Sequence, residues 1–438
     1  MKTFQKENNI LINSFLNHTF LKGFKEGLTN FESLELETGT LCNLNCKYCY
    51  YARYGKELYP LEIQKPDIIL NNLSLLLDWL IENNYHPELN LFSGEPFSQE
   101  IGFKSLEMIL NKFKLVKNKP RKILIPTNYT FLLSEEKTKR VENLIRYSRR
   151  IGVPIFLSAS FDGKYCEGNR PFRAGNEVRN DKYYNKCFAF SKKWGFGFHP
   201  MIYSELIENW QKNFLWFQKN FKKFNIPLYN IYLLEVRNVE WSRVQIKEFM
   251  NFIDFLIDWT YRVPCQKNPD FFLDFLFRKR GYNILHNSLT SVGRGMGCSI
   301  QSTLQVRLGD LTIVPCHRTS YPPFILGKFI VKDNKIAGIE SKNPELMIGE
   351  ITCNNKNFPL CENCLLKYMC TGGCLGSQFE TTGDLFSPIP TVCLLEHAKV
   401  CAIIRAFKRL NLYDIIYEGL DENKKTSLNL LEEMIYGK

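Results

Sequence analysis

Short apolar or alternating runs recur along the chain at 34–41, 89–92, 123–126, 155–161, 198–203 and 231–236. Between them lie stretches with apolar residues every third or fourth position, such as 68–81, 103–113 and 138–149. A period of two predicts strands and a period of 3.6 predicts helices. Strand followed by helix, repeated about six times up to residue 240, predicts a parallel α/β barrel or doubly wound sheet. A further long helix is predicted over 246–261. In the first 32 residues Phe4, Ile10, Leu11, Phe15, Phe20 and Leu21 recur at roughly helical spacing, which predicts a helical extension. After residue 290 the rhythm fades, while Cys, Gly and Pro become frequent. The run 303–314, broken by Gly309-Asp310, predicts a β-hairpin. Residues 353–393 read as loop, and 401–410 and 427–435 as closing helices. The resulting division is 1–32, a helical extension; 33–240, the α/β barrel; 241–297, a helical linker; 298–400, an irregular cysteine-rich domain; and 401–438, C-terminal helices.

Composition narrows the class. Of 438 residues, 45% are hydrophobic and 23% charged, which is ordinary for a globular protein. No apolar run reaches the ~18 residues a membrane-spanning helix requires. The start, Met1 to Asn9, is polar and lacks the apolar core of a secretory signal, so the expected location is cytoplasmic. The net charge is +12, but Lys and Arg are spread without long runs, so neither nucleic acid nor membrane is the expected partner. A basic surface equally suits an acidic peptide or an electron-donating flavodoxin.

Cysteine changes the picture most. There are 15, and without a secretory signal metal or cluster ligation is the first reading, ahead of disulfides. Cys42, Cys46 and Cys49 form C-x3-C-x2-C directly after the first predicted strand. Three thiolates on one loop hold three corners of a 4Fe–4S cluster. The next cysteine, Cys166, is far away, so one iron would be left open to a cofactor. A zinc site is the alternative, but the spacing is not that of a zinc finger and no His is near.

With Tyr48 as its aromatic residue, this loop resembles the C-x3-C-x-aromatic-C signature of the radical S-adenosylmethionine (radical SAM) enzymes. Leu91-Phe92-Ser93-Gly94-Glu95-Pro96 after the second strand resembles the family's G-G-E-P motif, with Ser93 in place of the first Gly. Thr127-Asn128 resembles T-N-G. Ser160-Phe161-Asp162-Gly163 resembles S-x-D-G, and Asn169-Arg170-Pro171 follows at the expected distance. The resemblance implies that Cys42, Cys46 and Cys49 hold the SAM-binding cluster. It implies that Tyr48, Ser93, Gly94, Glu95, Pro96, Asn128, Ser160, Asp162 and Arg170 form the cofactor site, with Arg170 on the SAM carboxylate. The joint placement at strand carboxyl ends is what a barrel enzyme uses.

Cys361, Cys364, Cys370 and Cys374 form C-x2-C-x5-C-x3-C, with Cys393 after them and Cys298 and Cys316 upstream. This resembles the SPASM extension, which carries two auxiliary 4Fe–4S clusters in peptide-modifying members of the family. The resemblance assigns Cys361, Cys364, Cys370 and Cys393 to the outer cluster and Cys298, Cys316 and Cys374 to the inner one. The inner set lacks one cysteine; either an iron stays open or Cys353 completes it. Cys166, Cys187, Cys265 and Cys401 are expected as buried inert thiols. His317, directly after Cys316, is a candidate general acid/base or cluster-tuning group, or a histidine that only bonds backbone. Sulfatase-maturing relatives carry Asp there. His199, Glu235 and Arg237 are weaker candidates on the fifth and sixth strands.

The expected fold is thus a partial (β/α)6 barrel with a C-terminal SPASM domain. The expected function is radical SAM maturation of a ribosomally made precursor peptide, by a thioether, a carbon–carbon crosslink or a related oxidation. The expected partners are that peptide, a flavodoxin- or ferredoxin-type donor, and a separate leader-recognition protein, since the segment before the first strand is short. A sulfatase maturase and a plain iron–sulfur electron carrier are the alternatives; a carrier has no use for SAM motifs.

Overall fold

The structure, a computed structural model, describes residues 32–59, 61–92, 94–278, 282–286, 288–289, 303–342, 359–370, 373–384 and 387–437. The predicted helical extension, Ser93, Cys298 and Cys353 lie outside the described residues. The chain forms two compact units: Met1–Phe161, Arg170–Phe198 and Ser299–Gly349 in the first, and Asp162–Asn169, His199–Cys298 and Glu350–Lys438 in the second.

The first unit is built on one sheet. Strands β1 (Ser33–Glu37), β2 (Glu88–Phe92), β3 (Ile123–Thr127), β4 (Ile155–Ala159) and β5 (Gly197–Phe198) run parallel in that order. Between them come α1 (Tyr50–Leu58), α2 (Pro66–Glu82), α3 (Glu100–Phe113), α4 (Glu135–Arg150) and, after the entry of the second unit's short segment, α5 (Asp181–Trp194). The helices begin where their sequences say they should. Pro66 takes the first position of α2, and Ser134 caps α4 by accepting the Lys137 N–H at 3.3 Å. Glu135 and Glu136 occupy the first turn of α4 and Arg149 and Arg150 its last, matching the helix dipole. On α2, Ile69, Leu73, Leu76, Leu77 and Leu80 form the buried stripe.

The predicted hairpin 303–314 is present as β8 (Thr303–Arg307) and β9 (Thr312–Val314). It does more than close a C-terminal domain. β8 pairs parallel with the free edge of β1, Ser33 opposite Thr303 through Glu37 opposite Arg307. The sheet then continues antiparallel through β9, β10 (Gly327–Lys332) and β11 (Lys335–Ser341). Sequence periodicity missed the last two strands. Their turn residues Asp333 and Asn334 both take positive φ, 49° and 55°, the turn that Asp and Asn tolerate.

In the second unit, β6 (Met201–Ile202) and β7 (Leu234–Glu235) form a two-stranded parallel sheet with α6 (Trp210–Phe224), α7 (Arg243–Arg262) and α8 (Pro269–Leu273). The predicted fifth strand is split into β5 and β6 around His199-Pro200, since Pro200 has no N–H to donate. The predicted sixth strand shortens to β7, because the Leu233 N–H leaves the ladder for Tyr282 O at 2.7 Å. The segment expected as loop contains α9 (Leu375–Thr382), closed by Gly383 at φ 76°. The first closing helix starts earlier than expected: α10 (Pro390–Arg409) opens on a first-turn proline, and α11 (Tyr413–Glu418) and α12 (Glu422–Tyr436) follow. α7 and α10 are tied by Asp254, which accepts from Arg405 at 2.9 Å and Arg409 at 2.6 Å.

Gly309 tests the attachment of the hairpin. A Cβ there would stand 2.0 Å from the Ile63 carbonyl oxygen, and backbone cannot step aside cheaply. Gly309→Ala is expected to cost about 1–3 kcal/mol in urea unfolding. An unchanged midpoint would show that the turn does not pack as described.

Candidate functional site

All motif loops of the first unit leave the carboxyl ends of parallel strands, so they share one edge of the sheet. The Cys42–Cys49 loop follows β1, and Cys49 is the residue before α1. Several bonds set its path. Leu44 bridges Phe172, Asn45 N–H donates to Pro171 O at 2.8 Å, and Arg173 N–H donates to Asn43 O at 3.0 Å. Asn128 Nδ2 donates to Asn43 Oδ1 at 2.9 Å, and Asn43 Nδ2 to Thr130 Oγ1 at 2.9 Å. Tyr48 Oη accepts the Arg170 Nε–H at 2.7 Å, and both residues are buried. The strand-four candidate is thereby placed against the cysteine loop.

Glu95 clasps two strand ends. Its carboxylate accepts Thr127 Oγ1–H at 2.7 Å, Asn128 N–H at 2.6 Å and Phe97 N–H at 3.2 Å. Burial pushes its pKa up, and these donors work against that. Pro96 is buried at the start of the turn that Glu95 caps. Gly94 is required by space, since a Cβ would lie 2.2 Å from the Leu41 carbonyl oxygen. Ser160 N–H donates to Thr127 O at 2.8 Å. In the second unit, Asp162 is fully buried: Oδ1 accepts Met201 N–H at 2.9 Å, and its backbone carbonyl accepts Asn213 Nδ2–H at 2.6 Å. Glu167 closes this turn by accepting the N–H groups of Asp162 and Gly163.

Sequence reasoning missed two glutamates on β1. Alternation puts Glu35 and Glu37 on one face and Leu34 and Leu36 on the other. Glu37 accepts from Tyr51 Oη, from Gly39 N–H at 3.2 Å and from Gln305 Nε2 at 2.9 Å. Burial lifts its pKa to about 8 despite these donors. Glu35 receives the candidate His317: its carboxylate accepts the backbone N–H at 2.9 Å and lies 3.0 Å from Nδ1. The imidazole stacks on Phe92 at 4.1 Å, and Arg318 lies over Tyr50 at 4.2 Å. His317 is therefore more than a backbone-bonding histidine: a carboxylate and an aromatic face fix its ring. The signal was present in the Leu-Glu-Leu-Glu alternation of 34–37.

The second unit holds Cys361, Cys364, Cys370, Cys374 and Cys393, the first buried and the others half-buried. Turn bonds shape their loop, with Cys364 N–H on Cys361 O at 3.2 Å and Cys370 N–H on Leu366 O at 2.8 Å. Cys374 precedes α9 and Cys393 lies in the first turn of α10. His397, one turn beyond Cys393, reaches Cys364 with Nε2 3.7 Å from Sγ. That contact turns the helix face bearing Cys393 towards the cysteine loop. Cys316, in the first unit, opens a turn closed by Thr319 Oγ1 at 3.0 Å from its N–H. Of the expected inert thiols, Cys166, Cys187 and Cys265 are buried and Cys401 is half-buried. Glu235 and Arg237 form an internal ion cluster with Glu396 and Lys399, with Glu235 Oε1 2.8 Å from Lys399 Nζ. Arg237 and Lys399 hold the Glu235 carboxyl down to about 2 against its burial.

No family model matches the chain. The chain is 23% identical over 457 residues to the radical SAM cyclopropyl synthase TigE of Paramaledivibacter caminithermalis, covering 95% of this chain and 87% of that protein. Its fold matches native anSMEcpe with bound AdoMet at a TM-score of 0.57 and 17% identity, over 86% of this chain and 99% of that one. Native anSMEcpe with bound AdoMet and Kp18Cys peptide matches at 0.55 and 16%, over 87% and 99%. These likenesses show the fold that the chain shares with them. The partial barrel with a cysteine-rich extension is its fold.

Among the described residues no three His, Cys, Asp or Glu side chains converge around a point that would hold a metal ion. Cys42, Cys46 and Cys49 are half-buried on one loop. Burial and Glu95 push the Cys42 thiol up to about 12, with Cys46 and Cys49 adding to the effect. A thiol in such surroundings stays protonated unless cationic iron holds it as a thiolate.

Glu37 provides a pH signature. Its value of about 8 stands above the ordinary 4.5, so between these values the folded chain holds a proton the unfolded chain has released. The stability linked to that proton is complete below 4.5 and lost as pH rises through 8. Unfolding free energy is expected to fall with rising pH across this window, and Glu37→Gln to flatten the slope. Urea titrations at graded pH check this; a slope that the substitution leaves intact would exclude Glu37 as its source.

Proposed function

We propose that this chain is a radical SAM enzyme and that it modifies a peptide. The observation that carries the reading is the placement of the Cys42–Cys49 loop at the carboxyl end of β1, with Arg170 bonded to Tyr48 inside it. The cluster and SAM, when bound, supply a 5′-deoxyadenosyl radical that takes a hydrogen atom from the substrate. The chain's own residues orient and enclose. Asn43, Asn128 and Thr130 hold the cysteine loop, and Glu95 locks the ends of β2 and β3 together. Arg170 offers the guanidinium expected at the SAM carboxylate, while Gly94 and Ser160 shape the strand ends beside it and Asp162 fixes the turn that follows β4. His317, held by Glu35, is the residue positioned to move a proton.

Near full-length similarity to a cyclopropyl synthase supports carbon–carbon bond formation within the peptide, ahead of a thioether. The cysteines support three 4Fe–4S clusters: one at Cys42, Cys46 and Cys49, an outer one at Cys361, Cys364, Cys370 and Cys393, and an inner one drawing on Cys298, Cys316 and Cys374, with Cys353 or an open iron completing it. A flavodoxin- or ferredoxin-type protein is the electron donor, a separate protein recognises the leader, and the cytoplasm is the compartment. No described helix is long and apolar enough to cross a membrane. Sulfatase maturation is disfavoured because His317 and Arg318 stand where that chemistry places an Asp.

The direct test is anaerobic incubation with SAM, dithionite and the peptide encoded beside the gene. The expected products are 5′-deoxyadenosine and a peptide lighter by two hydrogens; deoxyadenosine with an unaltered peptide would contradict peptide modification. Arg170→Ala is expected to raise the SAM Kd by roughly ten- to a hundredfold, the loss of a charge-assisted bond, with iron content unchanged. An unchanged Kd would reduce Arg170 to a support for Tyr48.

A further inference from the structure

Two nitrogens approach the Cys364 sulfur. The Leu366 backbone N–H lies 3.4 Å from it, and His397 Nε2 lies 3.7 Å from it. His397 is on α10, one turn after Cys393 and on the same face. Its contact is with a sulfur, at hydrogen-bond distance, and the loop and α10 already supply four thiols, Cys361, Cys364, Cys370 and Cys393. A ligand set of four cysteines is complete without it.

We propose that His397 is a positioning residue for the outer cluster, donating its Nε2–H to the Cys364 sulfur and so favouring the cluster's reduced state. The inference rests on the assignment of Cys361, Cys364, Cys370 and Cys393 to that cluster. Reduction adds one electron whose charge spreads onto the sulfurs, so a donor aimed at one of them bonds more strongly after reduction than before. Groups that orient ligands without binding metal act in this way on potential. The same bond fixes the Cys364 loop against α10, where Cys393 sits, so ligand geometry and potential are set by one contact.

The test is a potentiometric titration of the reconstituted full-length protein, followed by paramagnetic resonance. The outer cluster's wave is the one that Cys364→Ala abolishes, together with a loss of about four irons. His397→Leu removes the donor. It is expected to keep iron content and far-UV circular dichroism, to leave the other waves in place, and to lower the outer cluster's reduction equilibrium about tenfold, a shift of about 59 mV for one electron. His397→Gln keeps an amide N–H and is expected to recover part of the shift. An unmoved wave in His397→Leu would overturn the inference. So would an equal fall in the Gln variant, which indicates packing, or a loss of iron in both variants with the fold retained, which makes His397 a ligand. If Cys364→Ala removes neither iron nor a wave, the cluster assignment itself fails and takes the inference with it. A normal Cys364→Ala result with an unmoved His397→Leu wave fails the inference alone.

Discussion

Burying two carboxylates on β1 constrains the whole first unit. β1 is hydrogen-bonded on both edges, to β2 on one side and β8 on the other, and the face that carries Glu35 and Glu37 is buried, so neither side chain reaches solvent. Each must be satisfied by groups from distant parts of the chain, because a buried polar group without a partner is costly whether or not it carries a proton. Tyr51 comes from the helix after the cysteine loop, Gln305 from β8, and His317 from the segment after β9. Satisfying Glu37 therefore anchors the far side of the Cys42–Cys49 loop, and satisfying Glu35 holds the residue after Cys316. The polar face of one strand organises the chemistry-bearing segments on either side of it.

A second layer of constraint sits at the carboxyl edge. Glu95 joins the ends of β2 and β3, and Asn128 passes that rigidity to Asn43, the residue after Cys42. The loop that carries the cysteines is held by amides and hydroxyls with no catalytic chemistry of their own. Such support matters because a reactive radical requires its target to be held within a fraction of an ångström. Gly94 shows how close the packing is: the Thr40–Leu41 backbone occupies the space any side chain would need.

Much of this was legible in the sequence. Period-two runs located β1 to β4, and the cysteine spacing marked both cysteine-rich loops. What escaped was relational. Glu35 and Glu37 look like solvent-facing residues of an ordinary strand until Gln305 and His317, 268 and 282 residues further along the chain, meet them. Pro200 divided a predicted strand because a missing N–H matters only once the ladder partner is known. β10 and β11 were hidden by short, mixed runs whose best clue was Asp333-Asn334. Asn43, Thr130 and His397 carried no motif at all; only proximity gives them roles, and proximity is not written in spacing.

Cys42, Cys46 and Cys49 are proposed to hold a 4Fe–4S cluster with one iron open to SAM. The most direct measurement is the paramagnetic resonance spectrum of the reduced, reconstituted protein before and after SAM is added. One cluster signal is expected to change on addition, and the protein with all three cysteines replaced by Ala is expected to carry about four fewer irons and show no SAM-dependent change. A colourless zinc-loaded protein, or a SAM-dependent change that survives the triple replacement, would contradict the account.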